Sequence, residues 1–159
     1  MQACAPCLTI EERAAPGTLL IGIPNNVLIV AGAPAAIISD VISINLPSIF
    51  QREVKLSPSL FSAGGTLLPA SVLSLFQEIA IAHAETHGFG YDALIQKNLL
   101  WVVTQTRYEL MCHPAAGESV LLQTWFLPPR HGIVQREYLI TDLQNAVYVK
   151  GSACWVLMD

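Results

Sequence analysis

Residues 69 to 87, PASVLSLFQEIAIAHAETH, are the stretch that most constrains the fold. Pro69 suits the first turn of a helix, where its missing N–H costs nothing. Gly88 supplies a stop, because a helix commonly ends on a residue that adopts positive φ without strain. Between them nearly every position is apolar or small, including Ala70, Val72, Leu73, Leu75, Phe76, Ile79 to Ala82 and Ala84. A surface helix shows one apolar stripe, whereas a helix that is apolar on most sides is buried. The sequence therefore predicts a long central helix, from Pro69 to about His87, with protein around most of it.

What surrounds it is legible downstream. Phe50 to Leu56 alternates as a first strand, and Ser57 to Thr66, with Pro58 and the Gly64-Gly65 pair, reads as a loop. Trp101 to Met111 alternates again, with Val102, Tyr108 and Leu110 expected on one face and Gln105, Arg107 and Glu109 on the other. Turns at Pro114 to Gly117, Pro128 to Gly132 and Asp142 to Asn145 separate strands at Ser119 to Leu127, Ile133 to Thr141 and Ala146 to Met158. Short turns between consecutive strands imply antiparallel neighbours. The expected class is α+β: an antiparallel sheet of about five strands wrapped around one long central helix. That domain spans residues 49–159. Residues 1–48 carry five prolines and short broken apolar runs, and read as an extension of unknown structure.

Composition narrows the function classes. The 159 residues are 53% hydrophobic and only 13% charged, against about 25% charged in ordinary soluble domains. No run approaches the roughly 18 to 20 uninterrupted apolar residues of a membrane span. The excess apolar surface is expected to face another protein or a greasy ligand. A net charge of −4 offers no footprint for nucleic acid. Docking to an acidic carrier would need a local patch, for which Arg107, Arg130, Arg136 and Lys150 are the candidates. Cys4 and Cys7 lack the strand-then-helix context that activates a redox pair. Cys112 and Cys154 fall in predicted strands and read as small buried hydrophobes in a reducing, cytoplasmic setting.

The wording of several segments is more specific than their pattern. Pro69-Ala-Ser-Val-Leu, Gln77-Glu78, Ala82-His83-Ala84-Glu85, Gly88-Phe-Gly-Tyr, Trp101-Val-Val, Thr124-Trp125 and Trp155-Val-Leu-Met-Asp159 fall in order at plausible spacings. Together they resemble the first, N-terminal half of the acyl-ACP thioesterase family, over roughly residues 50 to 159. The resemblance implies a hotdog fold and action on fatty acyl thioesters of acyl carrier protein or coenzyme A, within fatty acid biosynthesis and lipid metabolism. It also implies that the catalytic Asp, Asn and His cluster lies in the family's second half, while the first half shapes the acyl pocket. No Asn-x-His-type constellation appears in this chain, so those catalytic residues do not carry over. Gln105 also departs from the arginine common after the Trp-Val motif.

Thioester hydrolysis needs an activated water and donors for the oxyanion that develops on the carbonyl. Backbone N–H groups at the helix start, within Thr66 to Ser71, are the expected donors. Among possible bases, Glu78 is the leading carboxylate and His83 the second candidate. Glu78 also shares an arc of about 60° with Ser71, Ser74 and Glu85, which is how a plain solvated stripe looks. His83 and His87, four apart, share a face and could hold a metal, but no third ligand is evident and structural histidines are the plainer reading. Leu68, Ser71, Gln77 and Trp101 are the expected substrate contacts, although Trp101, Trp125 and Trp155 read equally as sheet packing. No cofactor or metal is expected.

Three functions fit this pattern. One is a thioesterase that dimerises and builds its acyl tunnel at the interface. Another is a half-domain that binds acyl chains without hydrolysing them. A hotdog dehydratase ranks last, because it wants a histidine in the loop before the helix and Ser57 to Leu68 has none. An isolated hotdog leaves helix and sheet edges uncovered, so a homo-oligomer is expected.

Overall fold

The structure is a computed structural model, and it describes residues 18–23, 26–31, 49–128 and 133–158. Cys4, Cys7, Arg130 and His131 lie outside the described residues. Within the N-terminal extension, β1 (Thr18–Ile23) and β2 (Asn26–Ala31) pair antiparallel as a two-stranded sheet.

The remaining elements build the domain. They are β3 (Phe50–Lys55), α1 (Pro69–Thr86), α2 (Tyr91–Ile95), β4 (Leu100–Leu110), β5 (Ser119–Phe126), β6 (Ile133–Thr141) and β7 (Val147–Met158). The five long strands form one antiparallel sheet in the order β3-β5-β6-β7-β4. With α1 packed against one face, this is the hotdog arrangement. Each strand begins and ends within about a residue of its sequence-based bounds, because the turns between them are strongly written. Between β6 and β7, the Asp142 carboxylate accepts from the backbone N–H of Gln144 and Ala146, at 2.8 and 2.7 Å. Asn145 takes the positive φ of 70° that this reversal requires. Gly88, at φ 73°, ends α1 as expected.

Alternation sorts the sheet into two faces. Val120, Leu122, Thr124 and Phe126 of β5 and Val134, Arg136, Tyr138 and Ile140 of β6 are all buried, and the residues between them are only partly so. On α1 the buried positions are Ser71, Val72, Leu75, Phe76, Ile79, Ala80, His83 and Ala84, one stripe at helical period. Phe76 stacks on Tyr138 at 4.3 Å and lies over Gly151, where any Cβ would collide with its ring.

Three sequence expectations are corrected. First, α1 is not buried on most sides: Leu73 and Ile81 are 40% and 49% exposed, alongside Ser74, Gln77, Glu78 and Glu85. A single sheet covers one side of a helix, so an all-round apolar composition does not bury the other. Second, Val102 does not share a face with Tyr108 and Leu110. A bulge at Thr104, between Val103 and Gln105, inserts one residue and moves Val102 to the face of Gln105 and Arg107. Third, Cys112 lies beyond the end of β4 and is exposed, while Cys154 is buried as read. The short helix α2, carrying buried Leu94, was not anticipated.

Candidate functional site

The parity of β6 brings Arg136 to the inner face, where it meets the second half of α1. Arg136 is 3% exposed and His83 is 2% exposed. Arg136 Nη1 lies 3.0 Å from His83 Nδ1 and donates to Thr124 Oγ1 at 3.2 Å. The Thr124 hydroxyl in turn donates to the Glu137 carbonyl at 2.9 Å. A guanidinium can only donate, so His83 Nδ1 must be the acceptor and the ring proton must sit on Nε2. That nitrogen lies 3.1 Å from His87 Nε2, which then accepts. The tautomers of both histidines follow from one arginine.

Aromatic rings enclose this relay. Phe50 and Phe126 stack on either side of the His83 ring, at 5.1 and 4.9 Å between centroids. The Arg136 guanidinium rests 3.8 Å above the Phe126 ring, a cation–π contact that stands in for part of its lost hydration. Burial, then the Arg136 charge, then His87, pull the His83 pKa down to about 4. Burial lowers Arg136 to about 10, which leaves it charged at neutral pH. Tyr138, two residues along, is pushed up to about 12 by burial and accepts from Trp155 Nε1 at 3.3 Å. The site thus holds a permanent cation and a neutral, hydrogen-bonded histidine.

Beside Arg136 opens a cavity of ≈ 240 Å³. Ala80, Ile81 and Ala84 of α1 form one wall, Phe89 and Leu94 another, and Trp101 a third. Trp101 is fixed there by donating to the Phe89 carbonyl at 3.2 Å. The small side chains of Ala80 and Ala84 leave the space, and the aromatic residues bound it. Gln77 and Tyr91 bring the other polar side chains to its walls.

The structure divides the predicted site residues into two groups. Gln77 and Trp101 come together at the cavity, and His83 lies directly behind it through Arg136. Leu68 and Ser71 sit at the N-terminal end of α1, about 9 to 14 Å by helix rise from Gln77, where the cavity wall begins. There Leu68 N–H is committed to Leu60 O at 3.0 Å and Thr66 N–H to Ser62 Oγ at 3.2 Å. Ala70 and Ser71, as the first residues after Pro69, keep N–H groups that the helix itself cannot use. Glu78 stands on the exposed face of α1 and is not part of the cavity wall. Among the described residues no three His, Cys, Asp or Glu side chains gather as metal ligands would.

Arg136 is also the correction to the expected carrier-docking patch: it is buried in the core and cannot dock a carrier. Arg107 is exposed on the outer sheet face, and Lys150, on the same face, is paired with Glu109 at 2.8 Å. Sequence reasoning missed the inward arginine although the signal was present. Val134, Arg136, Tyr138 and Ile140 share one parity in an alternating strand, so a cation there had to face the core.

Residues 49–159 match the acyl-ACP thioesterase N-terminal domain. The chain belongs to the acyl-ACP thioesterase family. Among curated relatives, the palmitoyl-acyl carrier protein thioesterase of Arabidopsis thaliana is 28% identical over 118 residues, covering 70% of this chain and 29% of its own. The chain therefore spans under a third of the length of that relative. A crystal structure of an acyl-ACP thioesterase from Bacteroides thetaiotaomicron superposes with a TM-score of 0.65 at 22% identity, over 70% of this chain and 46% of that one. The DHNA-CoA thioesterase of Staphylococcus aureus gives 0.63 at 15% identity, over 69% of this chain and 73% of that chain. These likenesses fix the fold as hotdog. Among the described residues no helix is long and apolar enough to cross a membrane.

Proposed function

We propose that this chain is the acyl-holding hotdog of a thioesterase that acts on fatty acyl thioesters of acyl carrier protein or coenzyme A. One observation carries this reading: an apolar cavity of ≈ 240 Å³, cut into the second half of the central helix and walled by alanines and aromatic rings. Burial of methylenes there would contribute about 0.8 kcal/mol each. The acyl-binding role is favoured over hydrolysis by this chain alone, because no carboxylate lines the cavity among the described residues and the Nδ1 lone pair of His83 is already used by Arg136.

Hydrolysis is the second reading, favoured by the relatives' names as hydrolases and thioesterases. In it Glu78 is the first group to test and His83 the next. A panel of acyl-ACP and acyl-CoA substrates, with fatty acid followed by mass spectrometry, separates the two. Binding without turnover is the expected result, and clear turnover by the chain alone would replace the acyl-holding role with a complete enzyme.

The exposed Leu73 and Ile81 on α1 support a second hotdog, from another copy of the chain, as the cover of that face. Light scattering at micromolar concentration should give a dimer or larger, and a monomer would remove this part of the proposal. A cytoplasmic location completes it, to be tested by cell fractionation.

A further inference from the structure

Resting on the acyl-pocket reading, the cation at the cavity wall narrows the class of ligand. Arg136 is 3% exposed and charged, yet its hydrogen-bond partners are neutral: His83 Nδ1 and Thr124 Oγ1, both served by Nη1. The Phe126 ring supplies only a cation–π contact. Among the described residues Nε and Nη2 have no hydrogen-bond partner, and these two nitrogens form the side of the fork that meets a carboxylate with two parallel N–H bonds. Among the described residues the one sealed side-chain polar atom without a partner is Thr141 Oγ1, so the free edge of Arg136 is not closed off. Buried charges are ordinarily paired. Among the described residues Arg136 has no anionic partner, and it stands beside a cavity that is otherwise nearly apolar.

We propose that the cavity binds an aliphatic carboxylate, its carboxylate on the Nε and Nη2 edge of Arg136 and its chain along Ala80, Ala84 and Trp101. A cavity of ≈ 240 Å³ has room for the alkyl part of such a molecule. Two sources offer this chemistry. A free fatty acid could enter head first, or an acyl thioester could carry a second carboxylate at its far end.

The test is calorimetric titration of the full chain at neutral pH with octanoate, methyl octanoate and 1-octanol, followed by octanoyl-CoA and the ω-carboxylated octanedioyl-CoA. Octanoate is expected to bind about tenfold or more tighter than either neutral analogue, the worth of a charge-assisted pair over a neutral one. That preference should vanish in Arg136→Met. If the three single-chain ligands bind equally, the cavity is an acyl pocket but the carboxylate assignment is wrong. If none binds, the acyl-pocket reading itself fails. Because the preference is read on the unaltered protein, the result stands even where the variant folds poorly. Tighter binding of octanedioyl-CoA than octanoyl-CoA assigns the ω-carboxyacyl thioester, whereas octanoate preference without it assigns the free acid.

Discussion

The two halves of the central helix face very different surroundings. The first half, through Val72, Leu75, Phe76 and Ile79, sits on a continuous apolar core with Leu56, Leu67, Val120, Leu122, Ile140 and Val149. Its largest side chain stacks on one ring and fills the space that Gly151 leaves. The second half, through Ala80, His83 and Ala84, meets a buried arginine, a threonine, a second histidine and the cavity. Close packing stabilises, whereas buried charge and empty volume both cost stability. A fold that keeps the costly features in one place points to the ligand site there, and to a scaffold in the other half.

That contrast can be broken at the scaffold end first. Phe76→Ala should cost about 3 to 5 kcal/mol in urea denaturation, since it leaves a large cavity beneath Tyr138. A loss below about 1 kcal/mol would mean that this half is not tightly packed either. The next largest effect is on pH. His83 titrates at about 4 in the fold, against 6.5 as a free side chain. The folded protein therefore resists protonation that the unfolded chain accepts. Stability should be complete above pH 6.5 and decline as the pH falls toward 4, by up to roughly 3 kcal/mol. The charged and titratable partners facing His83 are Arg136 and His87, and His83→Gln, which keeps an acceptor for Arg136, should flatten the decline.

Smaller effects sharpen the comparison further. Arg136→Met removes a buried charge with no anionic partner among the described residues but leaves His83 Nδ1 without its donor, so the two effects oppose and the melting temperature should stay within the equivalent of about 1 kcal/mol. A marked loss would show Arg136 to be structural. Glu78→Gln, on the exposed face, should stay within about 0.5 kcal/mol of the parent. In the hydrolytic reading it should also abolish turnover, and unchanged turnover would remove Glu78 as the base.

The fold was legible because its signals are local. Pro69 and Gly88 bracket the helix, and glycine, proline and aspartate turns separate the strands, so the bounds agree closely. The site was not, because it depends on tertiary facts that patterns omit. Helix composition says nothing about how many sides a sheet can cover, hence the misplaced burial of Leu73 and Ile81. A one-residue bulge at Thr104 is invisible to an alternation count, hence the wrong face for Val102. Arg136 was read by its charge as surface, when the parity of its strand directed it inward. Trp101 and Gln77 were chosen from motifs, and the fold brings both to the cavity. Leu68 and Ser71 were chosen for the helix N-terminus, which lies at the far end from that cavity.

The central claim is that the space beside Ala84 holds an acyl chain. The most direct test is titration of octanoyl-CoA into the parent chain and into Ala84→Phe, with thermal melts to confirm that both are folded. A folded variant that binds about tenfold more weakly or worse is the predicted result, since the new ring would occupy the volume the chain needs. Equal affinity in the two proteins would place the acyl chain elsewhere and contradict the account.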